Sequence, residues 1–532
     1  MAILPKVKGV RAYKNVKEAS AGPWDAIVIG SGVGGMSCAA ALARYGRRVL
    51  VLERHYLPGG FTHMFSRKGF EWDVGVHAIG EMKPGELPAR TLDWLTGGHV
   101  EMVSLGDPFD RFRFEDGEQL GLPDTRAAYV NMLLERFPEE AAKIKRYIRL
   151  VDRVVLYSRA FFLFKSLPRS VDRAASALLH RFSTNWWAKT TAEVFETLGI
   201  TGKLRTVLAL HWGYYGSVPA DSSFPIHALT HAHFWNGAYY PVNGARVFAE
   251  GMLGAVLDAG GEVLCKAEVA GLILEGERAV GVTLSDGTAF RAPIVISGAG
   301  ARTTVSKIVP EAARQSEWGR SILALRDSPP YICLNLGFEG ELDPEDAASA
   351  NLWLLKDWDI ERQLWDVSDP DQAPHILYVS FPSLKNPRHD PGPTLRHTGE
   401  CVTFVSWDLF EAWADSKRLG RPEAYLALKA QIEERVLAEL RARMPKLMEK
   451  LVMHELSSPL SAQHFTNASH GAIYGLEASP ARFTNPHLRS RTPIPGFYLT
   501  GVDMASLGVV GGMMSGMLTA ASIEPRIYLK LI

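Results

Sequence analysis

Residues 25–53 read DAIVIGSGVGGMSCAAALARYGRRVLVLE, and this stretch decides the fold. The apolar run 25–30 predicts a short strand, 36–45 (MSCAAALARY) an Ala-rich helix, and 48–53 (RVLVLE) a second strand. Strand, turn, helix and strand in so short a space make the parallel βαβ unit. Both strands are apolar throughout, so both faces of their sheet should be covered. Between the first strand and the helix, Gly30-Ser31-Gly32-Val33-Gly34-Gly35 satisfies GxGxxG. Gly30 permits the tight turn, Gly32 lets backbone approach a pyrophosphate, and Gly35 lets the helix pack on the strand. The helix N-terminus then offers free N–H groups and a positive dipole end to phosphate. Glu53, closing the second strand, is placed to accept the ribose hydroxyls of an adenosine. A dinucleotide site is expected.

The chain beyond Glu53 separates a flavin from a nicotinamide cofactor. After Arg54 it brings a Gly59-Gly60 pair and then 70–75 (FEWDVG), where a simple dehydrogenase would continue into another helix. The glycine pair lets backbone lie against a long, extended cofactor. Near the other end, 497–516 reads FYLTGVDMASLGVVGGMMSG. There a strand ends at Gly501, Asp503 follows, and a glycine-dense turn opens a helix at about Gly511, a second helix N-terminus suited to a flavin edge or ribityl phosphate.

Between these ends the texture changes twice. From about 91 to 192 it is helical and amphipathic, as in 141–156. From 261 to 297 it is β, with an Asp286-Gly287 hairpin turn. The block from 318 to about 462 mixes strands (331–337, 401–407) with a long helix from 422 to 444, and 496–500 is a further strand. The expected architecture is α/β, with a Rossmann-like cofactor domain in three pieces (25–90, 239–317, 471–532). A substrate domain of α+β type interleaves with it (91–238, 318–470), behind an N-terminal extension (1–24).

Composition narrows the function classes. The 532 residues carry 58 basic and 58 acidic side chains, so the chain shows no electrostatic footprint for nucleic acid. Four scattered cysteines form neither a disulfide framework nor a zinc site and suit a reducing compartment. The first 22 residues lack the apolar run of a signal peptide, and no stretch resembles a membrane span. A cytoplasmic protein is expected, either free or peripheral to the cytoplasmic membrane. His227, His231 and His233 have no Cys or acidic neighbour that would complete a metal site, and no GxSxG elbow points to hydrolysis.

The segment 53–80, ERHYLPGGFTHMFSRKGFEWDVGVHAIG, resembles the second flavin signature of the amine-oxidase-like flavoproteins. More narrowly it is similar to the branch holding phytoene desaturases, carotenoid isomerase and retinol saturase. Residues 214–251 are similar to that branch's segment ending in a Tyr-Pro-x-Gly-Gly turn, with Asn243 in place of one glycine; 458–483 and 497–516 resemble the retinol-saturase type. The resemblance implies FAD, held by Gly30, Ser31, Gly32, Gly34, Gly35, Glu53, Arg54, Gly59 and Gly60, by Val269 and Gly298, and at the flavin end by Gly501, Asp503, Val510, Gly511 and Gly512.

Only one complete GxGxxG occurs, so a pyridine nucleotide lacks a second site of the same kind. A quinone or redox protein is the expected electron partner. The expected substrate is a lipophilic polyene or isoprenoid, and 13 Trp, 23 Phe and 16 Tyr supply rings for an apolar pocket. Saturating an alkene needs a hydride on one carbon and a proton on its neighbour. Tyr239, Tyr240, His77, His231 and His233 are candidate proton donors, with Tyr240 and His77 first because they lie beside the flavin-type motifs. The alternatives are a desaturase, a cis–trans isomerase, or a flavin-binding lipid carrier without turnover. Finally, 160–189 mixes Lys165, Arg169, Arg173, Arg181 and Lys189 with aromatic pairs, which suits either a membrane headgroup boundary or an ordinary packed helix.

Overall fold

The computed structural model describes residues 13–172, 185–362 and 364–531. The opening unit forms as strand β1 (Ala26–Ile29), helix α1 (Val33–Ala43) and strand β2 (Val49–Glu53). β1 and β2 pair in parallel from Ala26↔Val49 to Ile29↔Leu52. A five-stranded parallel sheet grows around them in the order Phe497–Leu499, Val295–Ser297, β1, β2, Glu262–Cys265. Every residue of β1 and β2 is buried, as a sheet covered on both faces requires. The strands thus come from three separated stretches of chain. Lys14 extends the sheet edge, its N–H donating to the Val263 carbonyl at 3.1 Å while its ammonium pairs with Glu262 at 2.6 Å.

α1 packs on the C-terminal helix Gly508–Ile523. Glycine makes this approach possible: a Cβ on Gly516 would lie 2.5 Å from the Gly34 carbonyl oxygen, and one on Gly512 2.6 Å from Val33 Cγ1. The helix opens at Gly508, three residues before the position expected from the glycine density.

The second layer is a seven-stranded sheet in the order Leu451–Ser457, Tyr331–Glu339, Arg396–Phe404, Ile376–Ser380, Asn351–Leu355, Asp110–Phe114, Gln119–Leu122. One face carries Tyr331, Trp353, Ile376, Tyr378 and Phe404 into a core shared with helices such as Ala141–Ser166 and Phe224–His233. The other face packs Leu334, Leu352 and Val379 on Ile432, Val436 and Leu440 of the helix Glu423–Arg443.

Two sequence expectations shift. The region expected to be helical, 91–192, holds the strands Met102–Ser104, Asp110–Phe114 and Gln119–Leu122. Their three to five residues, alternating buried and partly exposed in DRFRF, are too few for a period to stand out. The strand expected over 401–407 runs from Arg396 to Phe404, in register from Tyr331↔Phe404 to Glu339↔Arg396. Its N-terminal half contains a buried Glu400, and a charged residue reads as loop when pairing is unknown. Within 160–189, residues 173–184, including Arg173 and Arg181, lie outside the described residues.

Candidate active site

One cavity of about 740 Å³ begins at the β1–α1 turn and ends against the seven-stranded sheet. Its first part is the glycine turn. Gly30 takes φ +86°, a left-handed value that glycine accepts without strain. Gly35 is jammed against the strand, since a Cβ there would sit 2.1 Å from the Gly30 carbonyl oxygen. Gly32 is different: a Cβ would meet nothing within 4 Å and would point into the cavity at the N-terminus of α1. Open space beside free helical N–H groups is what a phosphate needs.

Glu53 is 8% exposed and held rigidly. Its Oε2 accepts from the Ser31 N–H at 2.9 Å and hydroxyl at 2.5 Å, and its Oε1 from the His55 N–H at 2.7 Å. Ser31 Oγ in turn accepts from the Gly59 N–H at 3.0 Å. Gly60 crosses over the turn, where a Cβ would lie 3.0 Å from Gly32 Cα. Gly34 touches the far end of the chain, with a Cβ position 2.5 Å from Gly501 Cα. Gly30, Gly32, Gly34, Glu53, Arg54, Gly60, Val269, Gly298, Gly501, Asp503, Val510 and Gly511 all line the cavity. Ser31, Gly35, Gly59 and Gly512 stand behind its wall as supports. The Arg54 guanidinium donates to the His464 carbonyl.

Asp503 lines the wall with both oxygens already engaged. Its Oδ2 accepts from the Ala301 N–H at 2.7 Å and its Oδ1 from the Leu476 N–H at 2.9 Å. It joins three chain segments rather than offering a free carboxylate. The buried Arg482 beside it donates to the Leu476 carbonyl at 2.6 Å and to those of Val502 and Ala505, and burial pushes its guanidinium down to about 10.

The second part of the cavity is aromatic, walled by Phe61, Tyr214, Tyr331, Trp353, Tyr378 and Phe404. His77 is on this wall and stacks edge-on against Tyr378, ring centroids 5.3 Å apart. Burial, helped by nearby Lys385, drives His77 down to about 3, so its ring is neutral. Tyr240 does not reach the cavity. It is buried with its hydroxyl donating to Asp73 Oδ2, and burial together with that carboxylate holds the phenol well above its usual range. The turn after it is closed by Asn243, which takes φ +72° and does the work of the missing glycine.

The other candidate donors are mostly occupied. His233 accepts from the Gly80 N–H at 2.8 Å through Nε2 and pairs with Glu81 at 3.1 Å through Nδ1. His231 is bonded to the Leu208 carbonyl, and His227 lies between the Tyr147 and Tyr215 hydroxyls. Tyr239 joins the strand Tyr239–Pro241, which pairs with Met102–Ser104.

Sequence reasoning overlooked a charged group behind the wall. Glu400 is wholly buried, and desolvation pushes its carboxyl up to about 8. Lys385 is pushed down to about 7, and Asp73 and Asp110 up to about 6, by the same cause. The available signal was a carboxylate inside an apolar strand (GECVTF) and a lysine after a Phe-Pro turn.

A family model described as flavin containing amine oxidoreductase matches residues 33–523. All-trans-retinol 13,14-reductase of Rattus norvegicus is 32% identical over 94% of this chain and 86% of its own length. Prolycopene isomerase 1, chloroplastic, of an Oncidium hybrid cultivar is 24% identical over 98% of this chain and 86% of its own. A solved putrescine oxidase bound to putrescine superposes with a TM-score of 0.62 at 16% identity, over 94% of this chain and 99% of that one. The glycine turn opening α1, the interleaved layers and the match across nearly the whole chain agree: the chain belongs to the family of flavin-containing amine oxidoreductases.

Proposed function

We propose that this protein is an FAD-dependent oxidoreductase that reduces a carbon–carbon double bond in a lipophilic polyene. The observation that carries the reading is the continuous cavity running from a phosphate cradle to a chamber of rings. The open side of Gly32 and the helix N-terminus take the pyrophosphate, Glu53 takes the adenosine ribose, and Gly60 and Gly501 leave room for backbone-close passage of the cofactor. When bound, the flavin supplies the hydride. The ring chamber binds the substrate by apolar burial, at about 25 cal/mol per Å², and keeps water from the reacting carbons. His77 delivers the proton to the carbon next to the one taking hydride; His233 also lines the cavity, but both its ring nitrogens are engaged, by Gly80 and Glu81. The likeness to all-trans-retinol 13,14-reductase over almost the full chain favours reduction over desaturation or isomerisation.

The electron donor in this reading is a quinone or redox protein, and the protein works at a membrane surface where its substrate resides. Leu156, 72% exposed, lies on the cavity wall beside Arg159, Ala160 and Leu163 of the helix Ala141–Ser166, an apolar mouth for a ligand that leaves lipid.

Anaerobic incubation of the reduced holoprotein with retinoids, carotenoids and other polyenes, read by mass, tests the function. A gain of two hydrogens supports reduction. A loss means desaturation, an unchanged mass at a new retention time means isomerisation, and no product from any polyene sinks the enzymatic reading.

A further inference from the structure

The aromatic chamber has a charged layer immediately behind it. Glu400, on the strand Arg396–Phe404, has a side chain of 0% exposure, and its Oε2 lies 2.9 Å from His77 Nδ1. Neither Glu400 oxygen nor His77 Nδ1 completes a well-aligned hydrogen bond. Buried polar atoms left short of partners are rare in folded proteins, and each needs a reason. Here three belong to one pair of side chains, and two of them meet in the 2.9 Å contact. The His77 ring keeps 17% of its surface exposed although Nδ1 has none, so its open edge is turned to the cavity it lines.

Lys385 underpins the pair. Its ammonium donates to the His77 carbonyl at 2.7 Å, to Ser380 Oγ at 2.6 Å and to Asn351 Oδ1 at 2.5 Å. Three acceptors match the three donors of a protonated lysine. Asn351 Oδ1 also accepts from the Tyr378 hydroxyl at 2.8 Å, and its amide donates to Asp110 Oδ1 at 2.8 Å, which accepts from the Tyr214 hydroxyl as well. The chamber wall is thereby wired to a buried set of charged groups, Lys385, Asp110 and Glu400, that stand behind the cavity lining.

We propose that Glu400 stores the proton that His77 passes to the substrate carbon, and that Lys385 sets the ease with which Glu400 releases it. This rests on the alkene reduction proposed above. In the step, hydride from the reduced flavin forms one C–H bond, and the His77 Nε2 proton forms the other as the alkene π bond breaks. His77 Nδ1 takes the Glu400 proton in the same event, leaving a neutral imidazole of the opposite tautomer and a Glu400 carboxylate. A flavin held in the cavity would supply the hydride and end oxidised, and solvent restores the proton to Glu400 between turnovers. His77 is the catalytic residue; Glu400 and Lys385 are positioning residues. Burial holds Glu400 protonated up to about 8, against the opposing pull of Lys385. The other groups facing it are Asp73, Tyr331, Cys333, Tyr378 and Tyr240.

The test uses the purified holoprotein and all-trans-retinol as probe. In single-turnover reoxidation of dithionite-reduced protein, the wild-type rate should fall as pH rises through about 8, because the protonated form donates. E400Q should lose about 10²-fold in rate and the alkaline limb with it, at an unchanged half-saturating retinol concentration and unchanged reduction by dithionite. K385M should move that limb to higher pH, since the ammonium favours the carboxylate. Infrared spectra in H2O and D2O supply a readout independent of turnover: a protonated-carboxyl stretch at neutral pH that E400Q abolishes. E400Q with wild-type rate and alkaline limb, or a wild-type spectrum without that band, overturns the relay while leaving alkene reduction standing. A band sensitive to E400Q in a protein that reduces no polyene supports the buried proton store and sinks the function alone.

Discussion

Adjacent glycines in one turn do different jobs, and substitution should separate them. Gly32 caps α1 with φ −61° and ψ 165°, values any residue adopts, and its Cβ direction is empty. Gly32→Val should therefore fold with a stability change of under about 1 kcal/mol, yet purify colourless because the side chain fills the phosphate position. A full flavin spectrum for this variant would show the cradle to be misassigned. Gly35→Ala should do the reverse. Its Cβ would enter the Gly30 carbonyl at 2.1 Å, and overpacking of that kind costs about 1–3 kcal/mol or more. Reduced soluble yield and a lower thermal midpoint, before any flavin measurement, are the expected result; a midpoint equal to wild type would refute the close packing of α1 on β1.

Among elements, Asp503 ties the turn after the last sheet strand to the N-terminus of Ala301–Thr303 and to the chain at Leu476. Asp503→Ala strips two buried N–H groups of their acceptor at about 1–3 kcal/mol each and leaves the Arg482 charge without its counterpart. Asp503→Asn keeps an acceptor oxygen and should lose less. Thermal unfolding of both variants checks the order Asn above Ala, and equal midpoints would contradict the staple. The element scale also shows what was readable. The β1–turn–α1–β2 unit is legible because each residue type has one physical use at its place. The strand Asp110–Phe114 is not, because one partner, Asn351–Leu355, lies far along the chain, and the hairpin it makes with Gln119–Leu122 is too short to show a period. The Glu400–His77 contact was hidden for the same reason: each residue looks ordinary until the sheet brings them within 2.9 Å. The motif makes Tyr240 a leading donor candidate, but what the motif positions is a bond to Asp73 under the wall.

For the whole molecule, the question is how a substrate with few polar groups reaches a chamber deep between two layers. No described helix is long and apolar enough to cross a membrane; routes are to be looked for at the cavity's edge. The apolar mouth points to one. Leu156 lies at the edge of the cavity, with Leu163 and Phe162 further along the same helix and Leu531 from the C-terminus also on the wall. Arg159, largely exposed, pairs at 3.3 Å with Glu81. Leaving water for the acyl boundary would bury such side chains at about 25 cal/mol per Å², and each basic residue near an anionic surface adds about 1 kcal/mol. Sedimentation with anionic and neutral liposomes, each at low and high salt, separates the contributions. Binding to both lipid types that strengthens on anionic vesicles at low salt is expected. Leu156→Asp should weaken binding under all four conditions and raise KM for a vesicle-borne polyene, with little effect on the same substrate in detergent. Equal recovery of wild type in the supernatant throughout would remove the membrane from the route and leave Leu156 as an exposed residue at the mouth of a cavity filled from solution.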